Sequence, residues 1–214
     1  MPESVEVASL FLAGARVVAT AIADPSVAGA WDQPSVLEEQ LVSGLAGHLA
    51  RGGVWAVADY LDGGTPAGPV NFQSAGHYFA RMVSAASADS NRAIRERGAA
   101  VASVGQEELV RTLNERLDAL EPRLLALEPD QLITVIGGTV MRLGDYLTTR
   151  IVEQTVHLDD LARSVGRDPW PLPSGAEGLT IAVGVEIARR RSGATAVVRA
   201  LYRQGFADAS LPVL

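Results

Sequence analysis

The chain has 214 residues, of which 20% are charged and 48% hydrophobic, with a formal charge of −7 and no cysteine. This length suits a single domain, residues 1–214, with a substantial buried core. The acidic balance argues against a nucleic-acid surface, which needs a concentrated basic patch. Because cysteine is absent, there are no disulfides or thiolate ligands, and a metal would have to be bound by nitrogen and oxygen atoms.

The first four residues are acidic where a signal peptide would be basic. No segment reaches the roughly 18 to 20 uninterrupted apolar residues of a membrane span. We therefore expect a cytoplasmic protein that makes no membrane contact. We expect it to be a monomer or a homodimer.

Apolar residues at three- and four-residue steps predict the helices in chain order. The predicted helices cover residues 3–23, 35–61, 71–97, 106–120 and 144–165, and then about 174–191 and 194–204. Ser35 with Glu38 and Ser174 with Glu177 have the spacing of capping boxes at two of these starts. Pro122 is expected to interrupt the helical pattern that precedes it.

The only strand signal lies between the fourth and fifth helices. Residues 132–136 and 139–142 predict two short strands across a two-residue turn, Gly137-Gly138. The predicted fold class is therefore all-α: a four-helix bundle (residues 1–165) with a small β-hairpin insert and extra C-terminal helices (residues 166–214).

Two of the three histidines fall on predicted helices before the hairpin. His48 lies on the apolar stripe of the second helix, with Leu45 and Trp55, which leaves a buried core histidine and a ligand as open readings. His77 falls beside the apolar stripe of the third helix, among polar neighbours. We interpret it as a surface residue or part of a cavity rim.

The third histidine belongs to a polar helix face. Positions 150, 153, 157 and 160 share one side of the fifth helix and carry Arg, Glu, His and Asp. Glu153 and His157 are one turn apart, so both side chains can converge on one point. That arrangement is typical either of a divalent-metal site or of a solvated helix face.

A metal site in a helical bundle is built from ligands that project inward from facing helices. His48, Glu153 and His157 are the set that meets this requirement, and two imidazoles with a carboxylate suit zinc, iron(II) or nickel. Three protein ligands leave a coordination position open, which is typical of catalytic sites. Asp160 could accept the free N–H of His157, and Arg150 is either an anion anchor for a substrate or a helix partner of Glu153.

These residues resemble a known family. Arg150 to Leu161 reads R-x-x-E-x-x-x-H-x-x-D-L, similar to a signature of the mycothiol-dependent maleylpyruvate isomerase N-terminal domain, within the DinB-like superfamily. The segment from Trp31 through Pro34-Ser35 to His48-Leu49 is similar to its other motif, W-x-x-P-S…x-x-H-L. The resemblance covers roughly residues 5–165.

The resemblance implies a metal-binding bundle with His48, Glu153 and His157 as ligands, usually to zinc. It also implies that relatives use a low-molecular-weight thiol, mycothiol in actinobacteria, for isomerisation or S-transfer. The full isomerase carries a second domain after the bundle that contributes to its active site. Residues 166–214 predict two helices instead, so we do not expect maleylpyruvate isomerisation itself from these residues.

Three hypotheses about function follow from the sequence. In the first, the open metal position binds a thiol, lowers its pKa, and so prepares it to attack a small electrophile as an S-transferase or isomerase. In the second, the chain is a non-catalytic metal- or ligand-binding helical protein. In the third, a metal-activated water makes it a hydrolase.

Overall fold

The computed structural model of the chain describes residues 4–64, 66–85, 87–128 and 130–203. The chain forms ten α-helices within those ranges: α1 (Ser4–Ile22), α2 (Pro25–Gly29), α3 (Val42–Ala50), α4 (Ala56–Leu61), α5 (Ala75–Ala85), α6 (Ala88–Ala102), α7 (Gln106–Leu125), α8 (Leu143–Ser164), α9 (Ala176–Ser192) and α10 (Ala194–Tyr202). A π-helical turn, Arg51–Trp55, joins α3 to α4. The two strands β1 (Leu132–Val135) and β2 (Thr139–Arg142) pair antiparallel.

The core lies between α1, α3, α7 and α8, which pack against one another as a bundle. The apolar stripe of α7 shows why: its leucines recur at steps of three and four and are all buried against the neighbouring helices. These residues are Leu109, Leu113, Leu117, Leu120 and Leu124. Outside the bundle, α6 lies against α3, and α5 lies against α8 and α9. The predicted all-α, DinB-like fold class with a small hairpin is confirmed.

The second predicted helix begins later than expected. Helix α3 starts at Val42 rather than at residue 35, and Leu41 is its N-cap. The hydroxyl of Ser35 accepts a hydrogen bond from the Leu37 N–H at 3.1 Å and closes a local turn, so the expected capping box with Glu38 does not form. The serine satisfies a nearby backbone donor, as serines in turns commonly do.

The third predicted helix is two helices. Helix α5 ends at Ala85, and α6 begins after Ser87, whose side chain accepts from the backbone N–H of Ser90 while the Ser90 hydroxyl accepts from the Ser87 N–H. This reciprocal cap starts a new helix. As a consequence α5 and α6 are two separate elements with different neighbours, α8 and α9 for the first and α3 for the second.

The other predicted boundaries differ by smaller amounts. Helix α7 continues through Pro122 to Leu125, because burial of Leu124 stabilises the extra turn. Helix α9 starts after Gly175, which caps it without a side-chain hydrogen bond, so Ser174 with Glu177 is not its capping box. Positions 3 and 204, the outer ends of the first and last predicted helices, lie outside the described residues.

The hairpin turn has three residues rather than two. Val135 pairs with Thr139, so Ile136 belongs to the turn with Gly137 and Gly138 and is 49% exposed. Both glycines have positive φ, 70° and 72°, a conformation that residues with a Cβ rarely adopt. In the described part of the chain, no helix combines the length and apolar character needed to cross a lipid bilayer.

Candidate metal centre

Three side chains from two helices converge on one point. Helix α3 supplies His48, and α8 supplies Glu153 and His157 from consecutive turns. The Oε2 atom of Glu153 lies 3.3 Å from His48 Nε2 and 3.4 Å from His157 Nε2. One ligand atom from each residue lies within 4.8 Å of the other two. The three residues that the sequence selects as ligands are thus brought together.

These separations fit a bound cation. Two ligands at about 2.1 Å from a tetrahedral ion such as zinc lie about 3.4 Å apart, close to both glutamate–histidine distances. The two imidazole rings are 4.8 Å apart between centroids and nearly perpendicular, so their nitrogens approach from different directions. Side-chain accessibilities of 19–22% place the cluster at a partly covered position rather than on an open helix face. The cluster could therefore hold a metal ion.

Asp160 orients His157. Its Oδ2 atom accepts from His157 Nδ1 at 2.9 Å, one helical turn further along α8. This bond uses Nδ1 and leaves Nε2 directed at Glu153, which is the arrangement that carboxylates impose on metal-binding histidines. The geometry matches the role predicted for Asp160 from its spacing, and its effect on a metal stays a prediction.

Arg150 is enclosed by the protein. It is 7% exposed, donates to the carbonyl of Gly52 at 2.8 Å and to the hydroxyl of Thr149 at 2.9 Å, and has a nitrogen 3.8 Å from Glu153 Oε1. Its guanidinium also lies 4.9 Å from the ring centre of Tyr146. These contacts make Arg150 a helix partner of Glu153, while its role as a substrate anchor stays a prediction.

The π-helical turn is tied to α8 by two side chains. Arg150 donates to the carbonyl of Gly52, and Gln154 donates to that of Gly53 at 3.0 Å. A π-turn shifts the helical hydrogen bonds to i→i+5 and is often found beside functional sites. Because the turn directly follows α3, these bonds hold the end of the helix that carries His48 against α8. Sequence reasoning missed the turn and the role of Gln154.

Glycines let α6 approach His48 closely. A Cβ on Gly98 of α6 would lie 2.6 Å from the carbonyl oxygen of Gly44 and 3.2 Å from the backbone nitrogen of His48. A Cβ on Gly47 would lie 2.1 Å from the Gly98 carbonyl oxygen. Neither contact leaves room for a side chain. The backbone of α6 therefore rests on the turn of α3 that presents His48.

The family model for the mycothiol maleylpyruvate isomerase N-terminal domain matches residues 11–162. The match covers most of the chain and includes all three candidate ligands. The chain belongs to this family. Neither the curated proteins nor the solved structures gave a significant match.

In this member of the mycothiol maleylpyruvate isomerase N-terminal domain family, the cluster is strongly polarised. Burial alone would raise the pKa of Glu153. Hydrogen bonds from His157 and His48 and the charge of Arg150 outweigh burial and hold that pKa well below its usual range. Burial lowers the pKa of His157, but Asp160 and Glu153 outweigh it and raise that pKa to about 9. Without a cation, the centre is a carboxylate paired with an imidazolium.

A pocket of about 640 Å³ opens beside this family member's candidate metal centre. Its walls come from α5, α6, α8 and the hairpin turn, and the lining residues are Tyr78, Phe79, Met82, Ser90, Asn91, Ala93, Ile94, Arg97, Ile136, Val152, Glu153, Val156 and His157. The volume lies within the range of about 300–1,000 Å³ typical of small-molecule sites. Two candidate ligands therefore face a mainly apolar chamber large enough for a small molecule.

Sequence reasoning missed this pocket. Its walls depend on the break between α5 and α6 and on Ile136 standing in the turn, neither of which the sequence predicts. His77, in contrast, does not line it: its ring packs edge-on to Phe72, and Nδ1 accepts from the Gln73 N–H at 3.4 Å. The position of His77 agrees with the surface or rim residue expected from the sequence.

Proposed function

We propose that this protein is a metal-dependent enzyme that uses a low-molecular-weight thiol, with mycothiol as the first candidate. The enzyme either transfers the sulfur of the thiol to a small electrophile or isomerises that electrophile. The observation that supports this most directly is that Glu153 and His157, two of three candidate metal ligands, lie in the wall of a 640 Å³ pocket. A purely structural metal would have no need of such a chamber. Membership of the mycothiol maleylpyruvate isomerase N-terminal domain family supports the choice of thiol.

The metal that best fits the donor set is zinc, with nickel(II) and iron(II) as the alternatives. His48, Glu153 and His157 would hold it through two imidazole nitrogens and one carboxylate oxygen. A bound divalent cation supplies a positive charge that lowers the pKa of an incoming thiol, so that a thiolate exists near neutral pH. The chain has no cysteine, so the sulfur must come from a cosubstrate.

The residues around the centre would keep its geometry fixed during reaction. Asp160 would hold the His157 ring so that Nε2 points inward, and Arg150 would hold Glu153 ionised from the buried side. A centre whose ligands are oriented before substrate arrives needs less rearrangement in the transition state. The apolar side chains of the pocket would exclude water from the electrophile and limit its hydrolysis.

The test is thiol consumption with an electrophilic aryl halide, measured with zinc-loaded protein and mycothiol. We expect multiple turnovers per protein molecule, with halide released as sulfur bonds to carbon and the thiol proton passes to solvent. The His157→Ala variant should lose turnover. The His77→Ala variant is the matched control, since His77 lies outside the pocket, and should retain it.

Two results would contradict the proposal. Stoichiometric thiol binding with no turnover across a panel of aryl halides, epoxides and cis-alkenoic acids would favour the non-catalytic binding protein. Zinc-dependent ester or amide hydrolysis that proceeds equally well without thiol would favour the hydrolase.

A further inference from the structure

Helix α6 carries three arginines with different surroundings. Arg92 pairs with Asp89 at 2.7 Å, and Arg95 pairs with Glu39 at 2.5 Å. Arg97 lines the pocket and makes no hydrogen bond or ion pair with any residue in the described ranges. Since arginine stays charged at any physiological pH, Arg97 presents an uncompensated cation at the pocket.

The surroundings of Arg97 strengthen its attraction for an anion. Phe79, Met82, Ile94, Val152 and Val156 supply apolar surface to the same pocket, and attraction between charges is stronger beside such surface than in open water. The acidic residue among the lining groups is Glu153. Its oxygens already face His48, His157 and Arg150.

We propose that the pocket takes an organic carboxylate: a ligand with an apolar body that fills the chamber and a carboxylate that Arg97 binds. This names the substrate class for the site and rests on the proposed function. The planar guanidinium suits a carboxylate because its N–H groups can donate to both oxygens. Asn91, three residues before Ile94 on the same face of α6, adds an uncharged polar side chain to the same wall.

A metal ion could also bind a carboxylate, so the experiment has to separate the two cations. Octanoate and octanamide are suitable probes, because they share the apolar body and differ in charge. Their affinities are measured by displacement of a fluorescent apolar dye at low ionic strength. The protein is used both zinc-loaded and after treatment with chelator, and thiol is omitted throughout.

We expect wild-type protein to bind octanoate about fivefold more tightly than octanamide, the preference that about 1 kcal/mol from one exposed ion pair provides. The preference should survive chelation and disappear in Arg97→Gln. The matched control, Arg92→Gln, removes an exposed arginine of the same helix that already has an ion-pair partner, and should keep the full preference.

Three results would overturn the inference: an unchanged preference in Arg97→Gln, a preference lost on chelation, or failure of both probes to displace the dye. The second result would assign the carboxylate to the metal. None of them depends on turnover. If thiol consumption fails while the Arg97-dependent preference persists, the proposed function is wrong and the carboxylate pocket remains.

Discussion

The backbones of Gly98 and His48 are in contact: a Cβ added to Gly98 would lie 3.2 Å from the His48 nitrogen and 3.3 Å from its Cβ. A side chain at this position of α6 must therefore displace α3, and with it one of the three candidate metal ligands. The glycine therefore helps to position the candidate metal centre although it supplies no ligand atom.

Gly98→Ala should destabilise the fold by about 1–3 kcal/mol, the usual cost of overpacking a close contact, and should also weaken zinc binding by moving His48. The measurements are the free energy of unfolding in urea and a zinc titration against a competing chelator. Gly178→Ala is the control, because nothing lies within 4 Å of its added Cβ and a helical alanine should stabilise by about 0.5–1 kcal/mol. Unchanged zinc affinity in Gly98→Ala would contradict the positioning role of α6.

Asp160→Asn should weaken zinc binding by about 10- to 100-fold, the range found when a partner of a metal-binding histidine is removed. The amide keeps the size of Asp160 but loses the charge that favours a His157 with its proton on Nδ1. Asp159→Asn makes the same change at the neighbouring, exposed position and should bind zinc as the wild type does. Equal affinities in the two variants would mean that Asp160 has no part in the site.

Zinc binding should release a proton. His157 has its pKa raised to about 9 in the metal-free protein, so below that pH it carries the proton that a metal must displace. Apparent zinc affinity should therefore rise with pH and level off above about 9. Calorimetry at pH 7.5 in buffers of different ionisation enthalpy should give close to one proton from His157 for each zinc bound. Zinc binding without proton release would contradict the paired state of Glu153 and His157.

How far the sequence determines the site is clearest at individual residues. The contacts among Glu153, His157 and Asp160 follow from helical spacing, since three- and four-residue steps bring side chains together on any helix. His48 is 105 residues from Glu153, and it could be selected only because the fold class places ligands on facing helices. The family resemblance, later confirmed, joined the two motifs.

Other features depend on tertiary contacts that no local pattern encodes. The Gly47–Gly98 contact requires knowing which helices cross and where, and the π-turn at Arg51–Trp55 looks like ordinary helix in sequence. Arg97 looks like any polar residue at the end of an amphipathic helix. It becomes notable only because α6 starts as a separate helix after Ser87 and lines a pocket together with α8.

Removing the metal should leave the bundle folded. The leucine stripe of α7 and the other buried side chains supply the core, and a chain of this length does not need a metal to hold it together. Chelated protein should keep its helical circular dichroism and melt cooperatively at a lower temperature. Zinc at 100 times its dissociation constant should raise the free energy of unfolding by about 2.7 kcal/mol. The His48→Ala variant should resemble the chelated form, whereas loss of the helical signal on chelation would make the metal a structural one.

The central claim is that His48, Glu153 and His157 hold a metal with a position open to a thiol. The most direct measurement is the absorption spectrum of cobalt-substituted protein during titration with mycothiol. We predict a sulfur-to-metal charge-transfer band that grows with thiol, saturates, and is absent in the His48→Ala, His157→Ala double variant. A spectrum that does not change at millimolar mycothiol, in protein that has retained its cobalt, would contradict the claim.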